Sequence, residues 1–292
     1  MWLQAHVTVE KDRAPLLELL LEQLGALSVT LEDAADEPMF EPPPGATPLW
    51  QATRVTGLFP GDTDADALRA DLEHALAAGA AAQVALEVLE DRAWERAWLE
   101  RFRPMRFGRR LWVCPSGQTV DAPDAVVVRL DPGLAFGTGT HPTTALCLEW
   151  LDGAELAGRR VIDFGCGSGI LGIAAARLGA ARVVALDHDP QALLATRANA
   201  AANAVAEQLE TRHSSEPPPP AADIVIANIL ANVLIDLRRD LSALVLPGGQ
   251  LVLSGILREQ APAVAAAYAE DFALEPPVAR DEWVRLDGRR RS

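Results

Sequence analysis

The stretch of sequence that most constrains the fold is VIDFGCGSGILG, residues 161–172. It begins with an apolar run, which is typical of a buried strand. Three glycines then stand at alternate positions (Gly165, Gly167 and Gly169), and the apolar residues after them predict a helix. Glycines let a ligand approach the main chain, and a helix N-terminus attracts negative charge. The pattern therefore predicts a nucleotide-type site.

The chain after this turn alternates between predicted strands and predicted helices. The strand segments are RVVAL, LETRH, DIVIAN, QLVLSG and EWVRLD, and helical segments such as QALLATRANAAANA and ANVLIDLRRDLSALV separate them. LWVCP and AVVVRL, upstream, are also predicted strands. The alternation indicates an α/β fold with a mostly parallel sheet covered by helices on both faces. In such a sheet the ligand lies at the carboxyl ends of the strands.

Two polar residues end predicted strands at this edge. Asp187 stands 22 residues after Gly165, where a carboxylate would accept hydrogen bonds from ribose hydroxyls. Asn228 is the last residue of the apolar IVIAN segment. It either faces the same crevice or caps the following helix.

A second glycine-rich segment, DPGLAFGTGTHPTT, occupies residues 131–144. Its apolar LAF portion beside GTGTH favours a lid or a ligand wall over a plain surface turn. Pro142 and Thr143 are suited to start the helix that follows. His141 has no second His or carboxylate at metal-ligand spacing, so it is interpreted as a hydrogen-bonding loop residue.

A nicotinamide cofactor is the competing interpretation, because residues 167–172 (GSGILG) form a GxGxxG match. In a dinucleotide fold the first glycine of that motif follows the strand immediately. Here Gly165 takes that place, and the match comes two residues late. The register favours another nucleotide, although a nicotinamide-dependent oxidoreductase stays open.

The front of the chain is predicted to be a separate domain. Residues 1–91 follow the order β-α-β-β-α-β, which indicates a ferredoxin-like fold. The net charge of the chain is −15, and residues 1–92 hold 17 acidic against 5 basic residues. Such acidity argues against binding a phosphate backbone and favours either a basic partner or solubility alone.

Between the two halves, residues 92–108 are predicted to be a linker. Trp94, Trp98 and Phe102 recur at helical spacing and form an aromatic stripe on a short helix that Pro104 ends. Arginines beside these aromatic residues are compatible with single-stranded nucleic acid. Packing of the stripe against a domain is the preferred interpretation.

The rest of the composition excludes several classes of protein. The three cysteines are odd in number and far apart, without zinc or disulfide spacing, so we expect a reducing cytoplasm. No stretch approaches about 18 uninterrupted apolar residues, and no basic leader opens the sequence. We expect a cytoplasmic protein without a membrane segment.

The motifs resemble a known family. DFGCGSG followed by ALDHDP is similar to the cofactor motifs of class I S-adenosylmethionine-dependent methyltransferases. DPGLAFGTGTHPTT, the NILANVL segment from Asn228 and SGIL from Ser254 resemble the ribosomal protein L11 methyltransferases. The resemblance covers essentially the whole chain. It implies a Rossmann-like methyltransferase domain over residues 109–292, with a mostly parallel seven-stranded sheet, behind a substrate-recognition domain over residues 1–91.

The resemblance also implies an activity, namely transfer of methyl groups from S-adenosylmethionine to lysine side chains and the N-terminal amine of a large-subunit ribosomal protein. Asn228 is the candidate catalytic residue, because its side chain could orient the lone pair of the amine. NIL stands where nucleic-acid and glutamine methyltransferases show Asn-Pro-Pro-aromatic, which disfavours planar amide or base nitrogens as acceptors. A monomer is expected, without a metal and without direct nucleic-acid binding. A non-catalytic S-adenosylmethionine-binding scaffold is the third possibility. The implied cofactor-binding residues are Phe136, Thr144, Gly165, Gly167, Asp187 and Asn228.

Overall fold

The structure is a computed structural model, and it describes residues 2–35, 49–76, 84–89, 103–131 and 141–292. It divides into two compact units, Met1–Ala97 and Trp98–Ser292. The predicted linker helix with its aromatic stripe lies outside the described residues, as does Phe136. The domain boundaries at residues 91 and 108 stay predictions.

The first unit has the predicted order of elements. Its four strands form one antiparallel sheet in which the first strand lies between the third and the fourth. This arrangement is ferredoxin-like, as the sequence predicts. The elements are β1 (Trp2–Glu10), a 3₁₀ turn (Lys11–Arg13), α1 (Ala14–Gln23), β2 (Ser28–Asp33), β3 (Ala52–Pro60), α2 (Ala65–Leu76) and β4 (Val84–Leu89).

One face of this sheet is buried against the two helices. Side chains alternate along β1, so every second residue points to the same face. These residues pack with Leu17 and Leu21 of α1 and Leu72 of α2. Burial of this face gives the first unit a hydrophobic core of its own.

The second unit contains a large sheet, a small sheet and six α-helices among the described residues. Its first part holds the small sheet and leads into the first large-sheet strand. Its elements are β5 (Met105–Phe107), β6 (Leu111–Cys114), β7 (Val126–Arg129), α3 (Pro142–Gly153), β8 (Arg160–Phe164), α4 (Ile170–Arg177), β9 (Arg182–Asp187), α5 (Pro190–Ala202), β10 (Leu209–His213), β11 (Ala222–Asn228), α6 (Ala231–Asp236), α7 (Arg238–Leu244), β12 (Val245–Leu257), α8 (Ala261–Tyr268), β13 (Phe272–Leu274), β14 (Val278–Arg280) and β15 (Trp283–Arg290).

The large sheet has the continuous order β10-β9-β8-β11-β12-β15-β13. The five strands from β10 to β12 are parallel, and β15 runs antiparallel to both of its neighbours on this path. The predicted mostly parallel sheet is therefore confirmed, but it has eight strands where the resemblance implies seven, because β14 also pairs with β15. Neither β13 nor β14 was assigned from the sequence.

Helices cover both faces of this sheet. Ile224 and Ile226 of β11 belong to one buried cluster, whereas Val225 and Ala227 belong to another. Consecutive residues of a strand point to opposite faces, so the two clusters are the two layers of an α/β sandwich. Within the part of the chain that the structure describes, no helix is long and apolar enough to cross a membrane.

The small sheet is fastened to α3 by one buried carboxylate. Asp152, 8% exposed, accepts hydrogen bonds from the main-chain N–H groups of Arg109 and Leu111 at 2.5 and 3.0 Å. Gly108 has a positive φ of 70°, and a Cβ there would collide with Asp152. Met105–Phe107, assigned to the linker from the sequence, is thus a strand of the second unit.

One predicted helix is divided. The segment ANVLIDLRRDLSALV was predicted to be a single helix, but it forms α6 and α7, which meet at Leu237. Leu237 is the C-cap of the first and the N-cap of the second, with φ −88° and ψ 10°. The segment therefore forms two short helices instead of one long helix.

Candidate active site at the carboxyl edge of the large sheet

The glycine turn links β8 to α4 at the centre of the sheet. Gly165, Gly167 and Gly169 all have positive φ, at 75°, 53° and 79°. Residues with a Cβ rarely adopt this conformation, so the three glycines are required by the turn. The N–H groups of Gly165 and Cys166 donate to the Leu186 carbonyl at 2.8 and 3.0 Å. These bonds hold the turn against the end of β9.

Asp187 is the last residue of β9 and is 8% exposed. Its Oδ2 accepts a hydrogen bond from the Gly167 N–H at 2.9 Å, and its Oδ1 accepts one from the Asp189 N–H at 3.0 Å. The exposed His188 ring lies 3.4 Å from Oδ1. A carboxylate offers about four acceptor positions. Asp187 therefore keeps capacity for the hydroxyl groups of a ribose.

Asp163, on β8, is 1% exposed. Its Oδ2 accepts a hydrogen bond from the Gly172 N–H in the first turn of α4 at 2.8 Å. This bond substitutes for a helix cap, because the N-cap residue Gly169 has no side chain. Burial, with a smaller contribution from Asp187, raises the pKa of Asp163 to about 7. Within the described residues its Oδ1 has no hydrogen-bond partner.

Two predicted site residues meet where β11 ends. The Asn228 amide donates to the Thr144 hydroxyl at 3.3 Å, which joins the strand end to the first turn of α3. Asn228 is also paired in register with Ser254 of β12. The Ser254 hydroxyl donates to the Thr143 carbonyl at 3.1 Å. The start of α3 is thus held across the ends of two adjacent strands.

Ile229 determines how closely the glycine turn and β12 approach the residue that follows β11. A Cβ on Gly165 would collide with the Ile229 side chain, and a Cβ on Gly255 would collide with the Ile229 main chain. Gly255 also has a positive φ of 83°. Its role was not recognised in the sequence, although it belongs to the SGIL segment that carried the resemblance.

His141 is the N-cap of α3, as a hydrogen-bonding loop residue would be. Its Nδ1 accepts from the Thr143 N–H at 3.4 Å and lies 2.7 Å from the Thr143 hydroxyl. Its ring meets Trp283 edge-on at 4.8 Å, and burial lowers its pKa. Across the described ranges, no group of three or more His, Cys, Asp or Glu residues is arranged to hold a metal ion.

The arrangement fits a nucleoside that carries an amino acid. The turn offers main-chain groups at the start of a helix, Asp187 offers acceptors for hydroxyls, and Asn228 with Thr144 borders the space beyond the strand ends. A glycine turn after β8, with an acid ending the adjacent strand, is the nucleotide-binding arrangement of a Rossmann-like α/β domain. Together with the DFGCGSG and ALDHDP motifs, it places the chain among the class I methyltransferases, whose methyl donor is S-adenosylmethionine.

The comparisons with known proteins identify the family within this class. A family model described as ribosomal protein L11 methyltransferase (PrmA) matches residues 1–291. The chain belongs to this family. The sequence alternative of a nicotinamide-dependent oxidoreductase receives no support from these matches.

Relatives match along their whole length. A ribosomal protein L11 methyltransferase of Methylococcus capsulatus is 57% identical over 293 residues, covering 100% of both chains. One of Azotobacter vinelandii is 55% identical, covering 99% of both chains. Among solved structures, a ribosomal protein L11 methylase from Lactobacillus delbrueckii subsp. bulgaricus has a TM-score of 0.61 and 33% identity. The match covers 65% of this chain and 100% of the Lactobacillus chain.

Proposed function

We propose that this protein transfers methyl groups from S-adenosylmethionine to amino groups of ribosomal protein L11. The acceptors would be lysine side chains and the N-terminal amine. The names of relatives that are 57% and 55% identical over nearly their whole length support this substrate. The site supports the reaction, because its residues suit positioning of an amine rather than proton abstraction by a strong base.

The observation that carries the proposal is the hydrogen bond between Asn228 and Thr144, 3.3 Å long, at the carboxyl edge of the sheet. It fixes an uncharged amide beside the glycine turn and leaves the amide oxygen available as an acceptor. An acceptor of this kind can orient an amine and direct its lone pair toward the donor methyl group. The arrangement is less suited to the planar nitrogen of a nucleic-acid base or a side-chain amide as the methyl acceptor.

Each candidate residue has a proposed role. Gly165 and Gly167 approach the methionine part of the cofactor through their main chain. Asp187 accepts the ribose hydroxyls, and Thr144 with Asn228 borders the reacting methyl group. Phe136, which lies outside the described residues, is proposed as a wall of that pocket.

The energetics favour positioning over base catalysis. A lysine amine has a pKa of about 10.4, so supplying it neutral at pH 7 costs about 4.6 kcal/mol. Alignment of the amine with the methyl group can contribute about 7 to 11 kcal/mol. Desolvation lowers the amine pKa further toward neutrality. The amine proton goes to water, and repeated methylation requires the amine to rotate and lose a proton between rounds.

The acidic front of the chain is proposed to bind the substrate. Residues 1–92 carry 17 acidic and 5 basic residues, which attracts a basic ribosomal protein and accelerates its association. We further propose that the predicted domain of residues 1–91 recognises the substrate, that the part of residues 92–108 before β5 connects it to the catalytic domain, and that the protein acts as a monomer without contacting nucleic acid.

Incubation with labelled S-adenosylmethionine and purified large-subunit ribosomal proteins tests the proposal. Label is expected in one basic protein, L11, on lysine and N-terminal amines as located by mass spectrometry. Absence of label from every protein band would overturn the proposed activity. Label in a different ribosomal protein would retain the chemistry but reject the substrate.

A further inference from the structure

Helix α5 presents two polar side chains to the glycine turn. The Thr196 hydroxyl donates to the Gly167 carbonyl at 3.0 Å, and the Asn199 amide donates to the Ser168 carbonyl at 2.8 Å. Residues three apart lie on the same side of a helix. One face of α5 therefore fixes two successive carbonyls of the turn.

Fixing a carbonyl also fixes the next N–H. The Gly167 carbonyl and the Ser168 N–H belong to one planar peptide unit and point in opposite directions. The same holds for the Ser168 carbonyl and the Gly169 N–H, which donates to the Cys166 carbonyl at 2.8 Å and so closes the turn. Main-chain N–H groups at a helix start can bind a carboxylate. The orientation of these peptide units thus depends on α5.

The contact between α5 and the turn is also steric. Thr196 is 0% exposed, and a Cβ added to Gly169 would lie 2.8 Å from its Oγ1 and Cγ2. The Cys166 thiol lies 3.4 Å from the same hydroxyl. Thr196 therefore packs directly against the turn, and a change in its shape or hydrogen bonding is transmitted to the turn itself.

We propose that Thr196 and Asn199 are positioning residues for the methyl donor. They do not touch S-adenosylmethionine; through the carbonyls of Gly167 and Ser168 they hold the turn in the geometry that binds it. The inference rests on the proposed use of the glycine turn as the cofactor site.

A purely structural role would also explain a buried, hydrogen-bonded hydroxyl, so a matched control is needed. The Tyr268 hydroxyl, in α8, donates to the buried Leu234 carbonyl of α6 at 2.7 Å. Tyr268→Phe removes a hydroxyl-to-carbonyl bond of the same kind from a different helix pair. Its consequences for folding should resemble those of Thr196→Val, without any link to the turn.

The experiment compares the wild type with Thr196→Val, Thr196→Ser, Asn199→Ala and Tyr268→Phe. S-adenosylmethionine is titrated calorimetrically well below each melting temperature, which is measured separately. Losing one buried hydrogen bond is expected to raise the Kd about tenfold or more in Thr196→Val and severalfold in Asn199→Ala. Thr196→Ser keeps the hydroxyl and should stay within about threefold of the wild type, and Tyr268→Phe should lower the melting temperature with its Kd unchanged.

Equal Kd values for Thr196→Val, Asn199→Ala and the wild type would overturn the inference. So would a Thr196→Ser variant that binds as weakly as Thr196→Val, because the hydroxyl would then not be the operative group. If Thr196→Val does not fold, the partly exposed Asn199→Ala decides the question. A wild-type protein that fails to bind S-adenosylmethionine would instead refute the proposed cofactor site.

Discussion

The two ends of the large sheet differ in how their polar groups are used. At the amino end lies a cavity of about 580 Å³, between the end of α3 and the start of β12. At the carboxyl end lie the glycine turn, Asp187 and Asn228. The amino-end cavity is lined by Glu149, Trp150, Gly153, Ala154, Glu155, Arg159, Asp223, Ile224, Leu246, Pro247, Gly248, Gly249, Gln250, Arg285 and Arg289.

Several charged groups at the amino end are paired with opposite charges. Arg285 lies 2.9 Å from Asp287, which also accepts from the Trp150 indole at 3.1 Å. Arg159 lies 3.4 Å from Asp223. At the carboxyl end, by contrast, Asp187 bonds to main-chain N–H groups and keeps acceptor capacity. This unused capacity, and not cavity volume, marks the end where we expect a ligand.

Replacing Asp187 tests this difference most strongly. Asp187→Ala removes the proposed ribose acceptors and the hydrogen-bond partner of the Gly167 N–H, so affinity for S-adenosylmethionine should fall about 1,000-fold or beyond detection. Calorimetric titration measures it. Asp223→Ala, at the amino end, should bind normally. Equal losses in the two variants would erase the distinction between the ends.

Two glycine substitutions test whether close approach of the backbone matters more at the carboxyl end than at the amino end. Both Gly255 and Gly248 have positive φ, but a Cβ on Gly255 collides with Ile229, whereas nothing lies within 4 Å of one on Gly248. Gly255→Ala should cost about 3 kcal/mol of unfolding free energy and Gly248→Ala about 1 kcal/mol. Denaturant unfolding of both variants provides the measurement. Similar losses would mean that close approach at the carboxyl end does not matter.

The side-chain amide of Asn228, at the end of β11, is expected to contribute more to the reaction rate than to S-adenosylmethionine binding. Asn228→Ala should lower kcat about 100-fold through loss of amine orientation, with the Kd for S-adenosylmethionine within about fivefold of the wild type. Gln250→Ala, an amide lost from the amino end, should leave kcat unchanged. Steady-state kinetics with the ribosomal protein substrate decide this, and an unaltered kcat in Asn228→Ala would remove its catalytic role.

The smallest expected effect concerns pH. Burial raises the pKa of Asp163 to about 7, so between its ordinary pKa and 7 the folded protein holds a proton that the unfolded chain releases. This group's stabilising contribution is present at low pH and is lost as pH rises through about 7. Asp163→Asn cannot titrate.

Urea unfolding of wild type and Asp163→Asn at pH 5 and pH 8 measures that contribution. From pH 5 to pH 8 the free energy of unfolding of the wild type should fall by on the order of 2 kcal/mol more than that of the variant. Parallel pH dependence in the two proteins would show that the carboxyl titrates normally.

Much of the fold could be predicted because its signals are local. The glycine turn, the alternating strands and helices, and the acid after β9 stand in short, readable patterns. β13 and β14 are three residues each, too short for a pattern, and they depend on pairing with β15. The break at Leu237 has no Gly or Pro to mark it.

The parts of the site that could not be predicted are long-range bonds between side chains and the main chain. Thr196 lies 29 residues from the Gly167 carbonyl that it holds. Asp152 lies 41 residues from the Leu111 N–H. Neither residue differs locally from an ordinary helix residue, so their partners become apparent only when the helices pack.

The position of β15 affects how the protein can be made. β15 lies inside the large sheet, between β12 and β13, and it is also the strand on which β14 pairs. A ribosome adds residues 283–290 after every other strand of that sheet. Until then β12 presents an unpaired edge, which is a template for association with other chains. Translation that stops before Trp283 should therefore yield aggregated or degraded protein, not a partly active enzyme.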